Sequence, residues 1–129
     1  ASICSTGLRD SDYFFRYGGE EFLLVLPLVY TQAPRNNLEK SKFDETNTLA
    51  AAERLRLAIL NQPLKVGKKR VDISVSIGMA IFPLHGQRYE ELLKCADTAL
   101  YQAKDAGRNC AFMYGADKKM SKKTQKNRE

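Results

Sequence analysis

The sequence predicts an α/β (α+β) sandwich with a mixed, largely antiparallel sheet flanked by helices. Three observations predict it. Residues 13–26 read as two strands bent at Gly18-Gly19. Residues 71–82 alternate strictly, with Val71, Ile73, Val75, Ile77, Met79 and Ile81 against Asp72, Ser74, Ser76, Gly78 and Ala80, the period of a strand. Residues 89–106 place Leu92, Leu93, Ala96, Ala99, Leu100 and Ala103 on one stripe, the period of a helix.

The elements follow in chain order. Residues 1–8 could close a helix, with Gly7 as its stop. The aromatic run 13–17 predicts a strand. Gly18 and Gly19 supply a turn, because glycine tolerates the positive φ of tight hairpins. FLLVL at 22–26 is apolar on both faces, the pattern of a central strand covered on both sides. Pro27 ends it. Residues 28–47 are polar and predict a long surface connection. A helix is predicted over 48–60, where Leu49, Ala52, Leu55 or Arg56, and Ile59 share a face, and Asn61 and Pro63 stop it. On strand 71–82 one face is bulky, while the other is small enough for close approach by a helix or ligand. After a turn at 83–86 and the helix at 89–106, Gly107 is the natural C-cap, and 110–114 predicts a last short strand.

The 129 residues are 43% hydrophobic, enough for one domain with its own core. No apolar run approaches the ~18 residues of a membrane span. Residues 1–12 lack the basic and apolar regions of a secretory signal. Cys4, Cys95 and Cys110 form no CxxC pair, so neither a disulfide framework nor a zinc site is indicated, and a reducing, cytoplasmic setting is expected. The net charge of +6 is concentrated at one end. Residues 116–129 hold six basic and two acidic side chains, a net +4, which leaves +2 for the other 115 residues. The division expected is a domain over 1–115 and a disordered basic tail over 116–129. A nearly balanced body argues against a specific nucleic-acid domain.

RYGGEEF at 16–22 raises the chemical question. Neighbours on a strand point to opposite faces, so Glu20 and Glu21 serve one small site in different ways. Carboxylates beside a glycine bend suit Mg²⁺, which takes one or two of them plus substrate phosphates. Glycines without side chains would let a nucleotide lie against the backbone. The plainer alternative is an exposed hairpin tip with solvated charges. Lys104 falls in the last turn of the second predicted helix and Arg108 just beyond its cap. Phosphate there must overcome the negative end of the helix dipole, so cations would be needed; the same cations could simply cap that dipole. His85, the only histidine, sits in a loop with no nucleophile to pair with, which favours a surface role.

RYGGEEF followed by an apolar strand resembles the signature of the GGDEF family of diguanylate cyclases, in which the third motif position is Asp or Glu, here Glu20. AAERLRLAI at 51–59, VDISVSIGMAIFP at 71–83 and ADTALYQAKDAGRN at 96–109 resemble later parts of the same domain in the same order. The resemblance implies a palm-like fold related to nucleotide cyclases and polymerases. It also implies condensation of two GTP into cyclic di-GMP and pyrophosphate across a homodimer. By motif position it makes Glu20 a ligand of Mg²⁺ or Mn²⁺ and Glu21 its acidic neighbour in catalysis. Gly18 and Gly19 would lie against the nucleotide, and Lys104 and Arg108 would bind the triphosphate. RDSD at 9–12 has the position of the family's inhibitory RxxD site, so Arg9 and Asp12, joined by Arg54, would bind product cyclic di-GMP. The long 28–47 connection departs from the family pattern. So does the lack, before Ala1, of the strand that brings a second metal-binding aspartate and of the helix that reads guanine. The expectation is a domain incomplete at its N-terminus, with little or no cyclase activity by itself and an exposed sheet edge open to strand exchange or dimerisation. Membrane attachment would come only through other domains of the parent. The competing reading is a catalytically inactive GGDEF-type module that binds GTP or cyclic di-GMP as a sensor.

Overall fold

The computed structural model describes residues 12–27, 35–62 and 64–116. The helix end expected at 1–8, Arg9, and residues 117–129 lie outside the described residues. Within them the order is β1 (Tyr13–Arg16), β2 (Phe22–Val25), α1 (Asn37–Leu60), β3 (Leu64–Val66), β4 (Lys69–Val71), β5 (Ile77–Met79), α2 (Tyr89–Asp105) and β6 (Ala111–Met113).

The centre is a β5–α2–β6 unit. β5 and β6 run parallel, with Ile77 opposite Ala111, Gly78 opposite Phe112 and Met79 opposite Met113. Alternation then sorts the two faces. Ile77, Met79 and Ile81 join Ala111 and Met113 against Ala52 of α1. On the other face α2 lies directly on Gly78: a Cβ built there would fall on the Ala96 carbonyl oxygen and the Leu100 nitrogen, and 2.7 Å from the Leu100 Cα. The small face of the alternating segment thus admits a helix, as its sequence predicts. Ala99 and Ala103 are fully buried in that contact, small residues that let helix and strand approach.

Helix α1 corrects the sequence reading. It begins at Asn37 rather than near 48, so residues 37–47 are not an irregular connection. The Asn36 Oδ1 accepts from the Glu39 N–H at 2.8 Å, and the Glu39 carboxylate accepts from the Arg35 N–H at 3.1 Å. This reciprocal cap starts a helix whose first half is polar, which is why apolar periodicity does not reveal it. Asp44 is nonetheless only 3% exposed.

The strand predicted over 71–82 is interrupted. Its start belongs to β4, which forms a separate hairpin with β3, and regular pairing resumes only at Ile77. Alternation reports two differing faces, and a ladder also needs a neighbour. The β3–β4 hairpin turns at Gly67, φ +65°, and sets Lys65 directly across from Arg70. β1 and β2 pair antiparallel, from Tyr13 opposite Val25 to Arg16 opposite Phe22. The expectation that FLLVL is covered on both faces is not met among the described residues. Phe22 is 56% and Val25 44% exposed, and β2 pairs only with β1. An apolar pattern specifies that a strand needs covering, not what covers it.

Candidate functional site

The glycine loop spans the five positions between β1 and β2. The Tyr17 and Gly18 N–H groups both donate to the Glu21 carbonyl, at 2.9 and 3.1 Å. Arg16 folds its guanidinium back over the bend, giving Nε to the Gly18 carbonyl at 3.2 Å and Nη2 to the Gly19 carbonyl at 2.8 Å. This brace was not foreseen, although an arginine beside a glycine pair is its signal. The turn also corrects the reason given for its glycines. Neither has positive φ. A Cβ at Gly18 would touch only the Glu21 Cβ, at 3.8 Å, and one at Gly19 would meet nothing within 4 Å. Neither backbone conformation nor packing within the described chain requires glycine here.

Helix α2 brings a cation to this loop. The Lys104 Nζ lies 3.9 Å from the Glu21 Oε1, with the two side chains 33% and 44% exposed. An ion pair this long and this wet is worth at most about 1 kcal/mol, so its meaning is proximity rather than stability. Glu20 is exposed at the bend. Arg108 is exposed beyond the end of α2, at φ +65°. The structure therefore gathers the acidic loop and Lys104, two segments far apart in sequence.

Of the three residues predicted for product binding, two lie among the described residues. Asp12 is half-buried just ahead of β1, Arg54 is exposed on α1, and Arg9 falls outside. No group of three or more His, Cys, Asp or Glu side chains converges to hold a metal among the described residues. Two exposed carboxylates still fit a hard ion that takes the rest of its shell from phosphates and water. A shallow groove of about 540 Å³ runs along α2 past Lys94, Tyr101 and Asp105, and none of the glycine-loop residues line it.

Two further features escaped the sequence reading. Arg56, offered by periodicity only as an alternative to Leu55 on the inner face of α1, has polar partners that periodicity does not show. It pairs with Glu53 at 2.7 Å and donates from Nη1 to the Asn109 Oδ1 at 3.0 Å. The hydrogen bond it donates to Glu53 raises its pKa, against the opposing effect of burial. His85 is half-buried rather than a surface residue. Its Nδ1 accepts from the Ile81 N–H at 2.8 Å, its backbone N–H donates to the Ile81 carbonyl at 2.8 Å, and its ring meets Tyr114 edge-on. Burial lowers its pKa, partly offset by Glu45. A loop-closing role replaces the expected surface role.

A parallel strand pair with helices on both faces, and an acidic glycine hairpin beside a cationic helix end, define a domain of the palm-like nucleotide-cyclase class. Residues 1–110 match the family described as diguanylate cyclase, GGDEF domain, and the chain belongs to that family. It is 43% identical over 110 residues to Diguanylate cyclase DosC of Escherichia coli strain K12, covering 84% of this chain and 21% of that protein. Response regulator PleD of Caulobacter vibrioides is 33% identical over 107 residues, 81% of this chain and 20% of PleD. Among solved structures, the GGDEF domain of PA1120 from Pseudomonas aeruginosa superposes with a TM-score of 0.71 at 26% identity, over 91% of this chain and 65% of that one. An EAL/GGDEF domain protein from M. capsulatus gives 0.65 at 31% identity, over 89% and 65%. The chain thus spans about a fifth of the length of DosC and PleD. Among the described residues no helix is long and apolar enough to cross a membrane.

Proposed function

We propose that this chain is the GGDEF part of a diguanylate cyclase that condenses two GTP into cyclic di-GMP with release of two pyrophosphates. The observation that carries the reading is the approach of Lys104 to Glu21 at the glycine loop: acids for a metal and a cation for phosphate meet at one point. Two glycines that nothing in the described chain requires support it, since a nucleotide lying on the backbone is a reason for keeping them.

In this reading Glu20, with Glu21 beside it, holds Mg²⁺ or Mn²⁺, which when bound lowers the pKa of the attacking 3′-hydroxyl and neutralises phosphate charge. Arg16 fixes the bend, so the carboxylates are presented without reorganisation. Lys104 and Arg108 orient the triphosphate at a helix end that would otherwise repel it. Each site supplies only one GTP, so two copies of the chain must face each other, and the 3′-hydroxyl in one attacks the α-phosphate in the other. Arg9, Asp12 and Arg54 are proposed to bind the cyclic product, arginine through phosphate or the guanine edge.

The test is product formation by the full-length protein that carries this chain, given GTP and Mg²⁺. Glu20→Ala is expected to lower the rate by about 10²-fold or more, the scale of losing one preorganised charge-stabilising group. An unchanged rate would remove the assignment of the bend. A second reading is a sensor that binds GTP or cyclic di-GMP without turnover. It predicts nucleotide binding by the intact protein with no cyclic di-GMP at any Mg²⁺ or Mn²⁺ concentration. Product binding that survives Arg54→Ala and Asp12→Ala together would remove the inhibitory-site assignment.

A further inference from the structure

The chain leaves α2 through three consecutive residues of left-handed backbone: Gly107 at φ +112°, Arg108 at +65° and Asn109 at +48°. Glycine adopts this region freely and asparagine tolerates it, but the Cβ of an arginine crowds the following carbonyl. Such a conformation persists only where its surroundings over-determine it.

The surroundings come from three parts of the fold. Behind Arg108, its N–H donates to the Ala103 carbonyl at 3.0 Å, and the Gly107 N–H to the Lys104 carbonyl at 3.3 Å, ending the helix. Ahead of it, the Asn109 N–H donates to the Ser76 Oγ at 3.2 Å, just before β5. From α1, Arg56 gives its Nη1 to the Asn109 Oδ1 at 3.0 Å and to the Asn109 carbonyl at 3.5 Å. Arg56 is itself immobilised: Glu53 accepts from its Nε at 3.1 Å and its Nη2 at 2.7 Å, and its side chain is 13% exposed. A guanidinium suits this task because its donors diverge from one rigid plane, so one edge grips the carboxylate while another reaches the amide.

We infer that Arg56, braced by Glu53, is a positioning residue that clamps Asn109 and thereby fixes the direction in which Arg108 leaves the end of α2. The role rests on the reading of Arg108 as a triphosphate cation. It explains why a half-buried arginine on a distant helix is spent on a loop amide rather than on a ligand.

The test is a double-mutant cycle in the full-length protein. GTP affinity is measured with Ca²⁺ replacing Mg²⁺, so that turnover does not intervene, alongside amide hydrogen exchange. Arg108→Ala and Arg56→Ala are each expected to raise the Kd for GTP about tenfold, the scale of one hydrogen bond to a charged group. The double variant should bind no more weakly than Arg108→Ala alone, because Arg56 acts through Arg108. In Arg56→Ala the Asn109 amide should exchange faster while the Ile77 and Tyr114 amides of the β5–β6 pairing keep their protection, which separates loss of the clamp from unfolding. Should Arg56→Ala prove poorly folded, Ser76→Ala loosens Asn109 from its other side, with a smaller effect of the same sign on both readouts. Unchanged exchange at Asn109, or a tenfold loss that persists in the Arg108→Ala background, overturns the inference. Normal GTP binding by Arg108→Ala would instead overturn the phosphate assignment, and with it the purpose of the clamp, leaving exchange to judge the contact itself.

Discussion

Gly78→Ala is the sharpest perturbation of this fold. The added Cβ would fall on the Ala96 carbonyl oxygen and the Leu100 nitrogen, and 2.7 Å from the Leu100 Cα. All three are backbone atoms of α2, so no side-chain rotamer relieves the overlap. Ordinary carbon contacts begin near 3.5 Å, and α2 must therefore move outward by roughly 1 Å. Overpacking of this kind costs about 1–3 kcal/mol, and a backbone-to-backbone clash belongs at the upper end. With a urea m-value of about 1–3 kcal/mol/M, a loss near 3 kcal/mol lowers the midpoint by about 1 M or more. The assay is urea denaturation followed by circular dichroism, with Gly19→Ala as the control. Its Cβ meets nothing within 4 Å, so its midpoint is expected to stay unchanged. A Gly78→Ala midpoint equal to that of the parent chain would refute the account of how α2 seats on β5.

The other predictions are briefer. Gly19→Ala, neutral for stability, is expected to weaken nucleotide binding; unchanged GTP affinity would show that the loop glycines serve no ligand. Asn36→Ala removes the acceptor for the Glu39 N–H and should cost about 1 kcal/mol, read as a lower midpoint and faster amide exchange in the first turn of α1. The folded pKa of His85 lies below its ordinary value because of burial, so between the two values the unfolded chain binds more protons than the folded one. Stability is therefore full above about pH 6.5 and falls as the pH drops through the folded value. In His85→Gln that segment of the stability–pH curve should flatten; a slope identical to the parent's would exclude His85 as its source.

Where the sequence was legible, residues carried two independent signals. The glycine hairpin, α2 and β6 were each marked by periodicity and by their stops, and they fall within a residue or so of their predicted bounds. The start of α1 was missed because Asn37 to Asn47 has a polar surface pattern. The Asn36–Glu39 cap was the local signal available, and it lay inside a stretch already read as irregular. The continuous strand over 71–82 failed because pairing depends on a neighbour that alternation does not encode. At the site, Glu21 and Lys104 could be named from residue type and position, but their 3.9 Å approach is a tertiary fact. Arg54 and Arg56 lie two positions apart, so they point about 200° apart on the helix; periodicity leaves Leu55 and Arg56 as alternatives for the inner face, and the partners of Arg56 are a tertiary fact.

The β3–β4 hairpin carries a consequence of its own. Two cations, Lys65 and Arg70, stand directly opposite each other, and the nearest acid, Asp72, is a loose 3.8 Å from Arg70. Like charges facing across a ladder weaken it, yet they also repel any incoming strand of the same composition. The arm is thus expected to resist edge-to-edge pairing with a second copy of itself, at the expense of its own rigidity. Added salt should tighten the hairpin and weaken that protection together, so the chain is expected to stay dispersed best in dilute buffer.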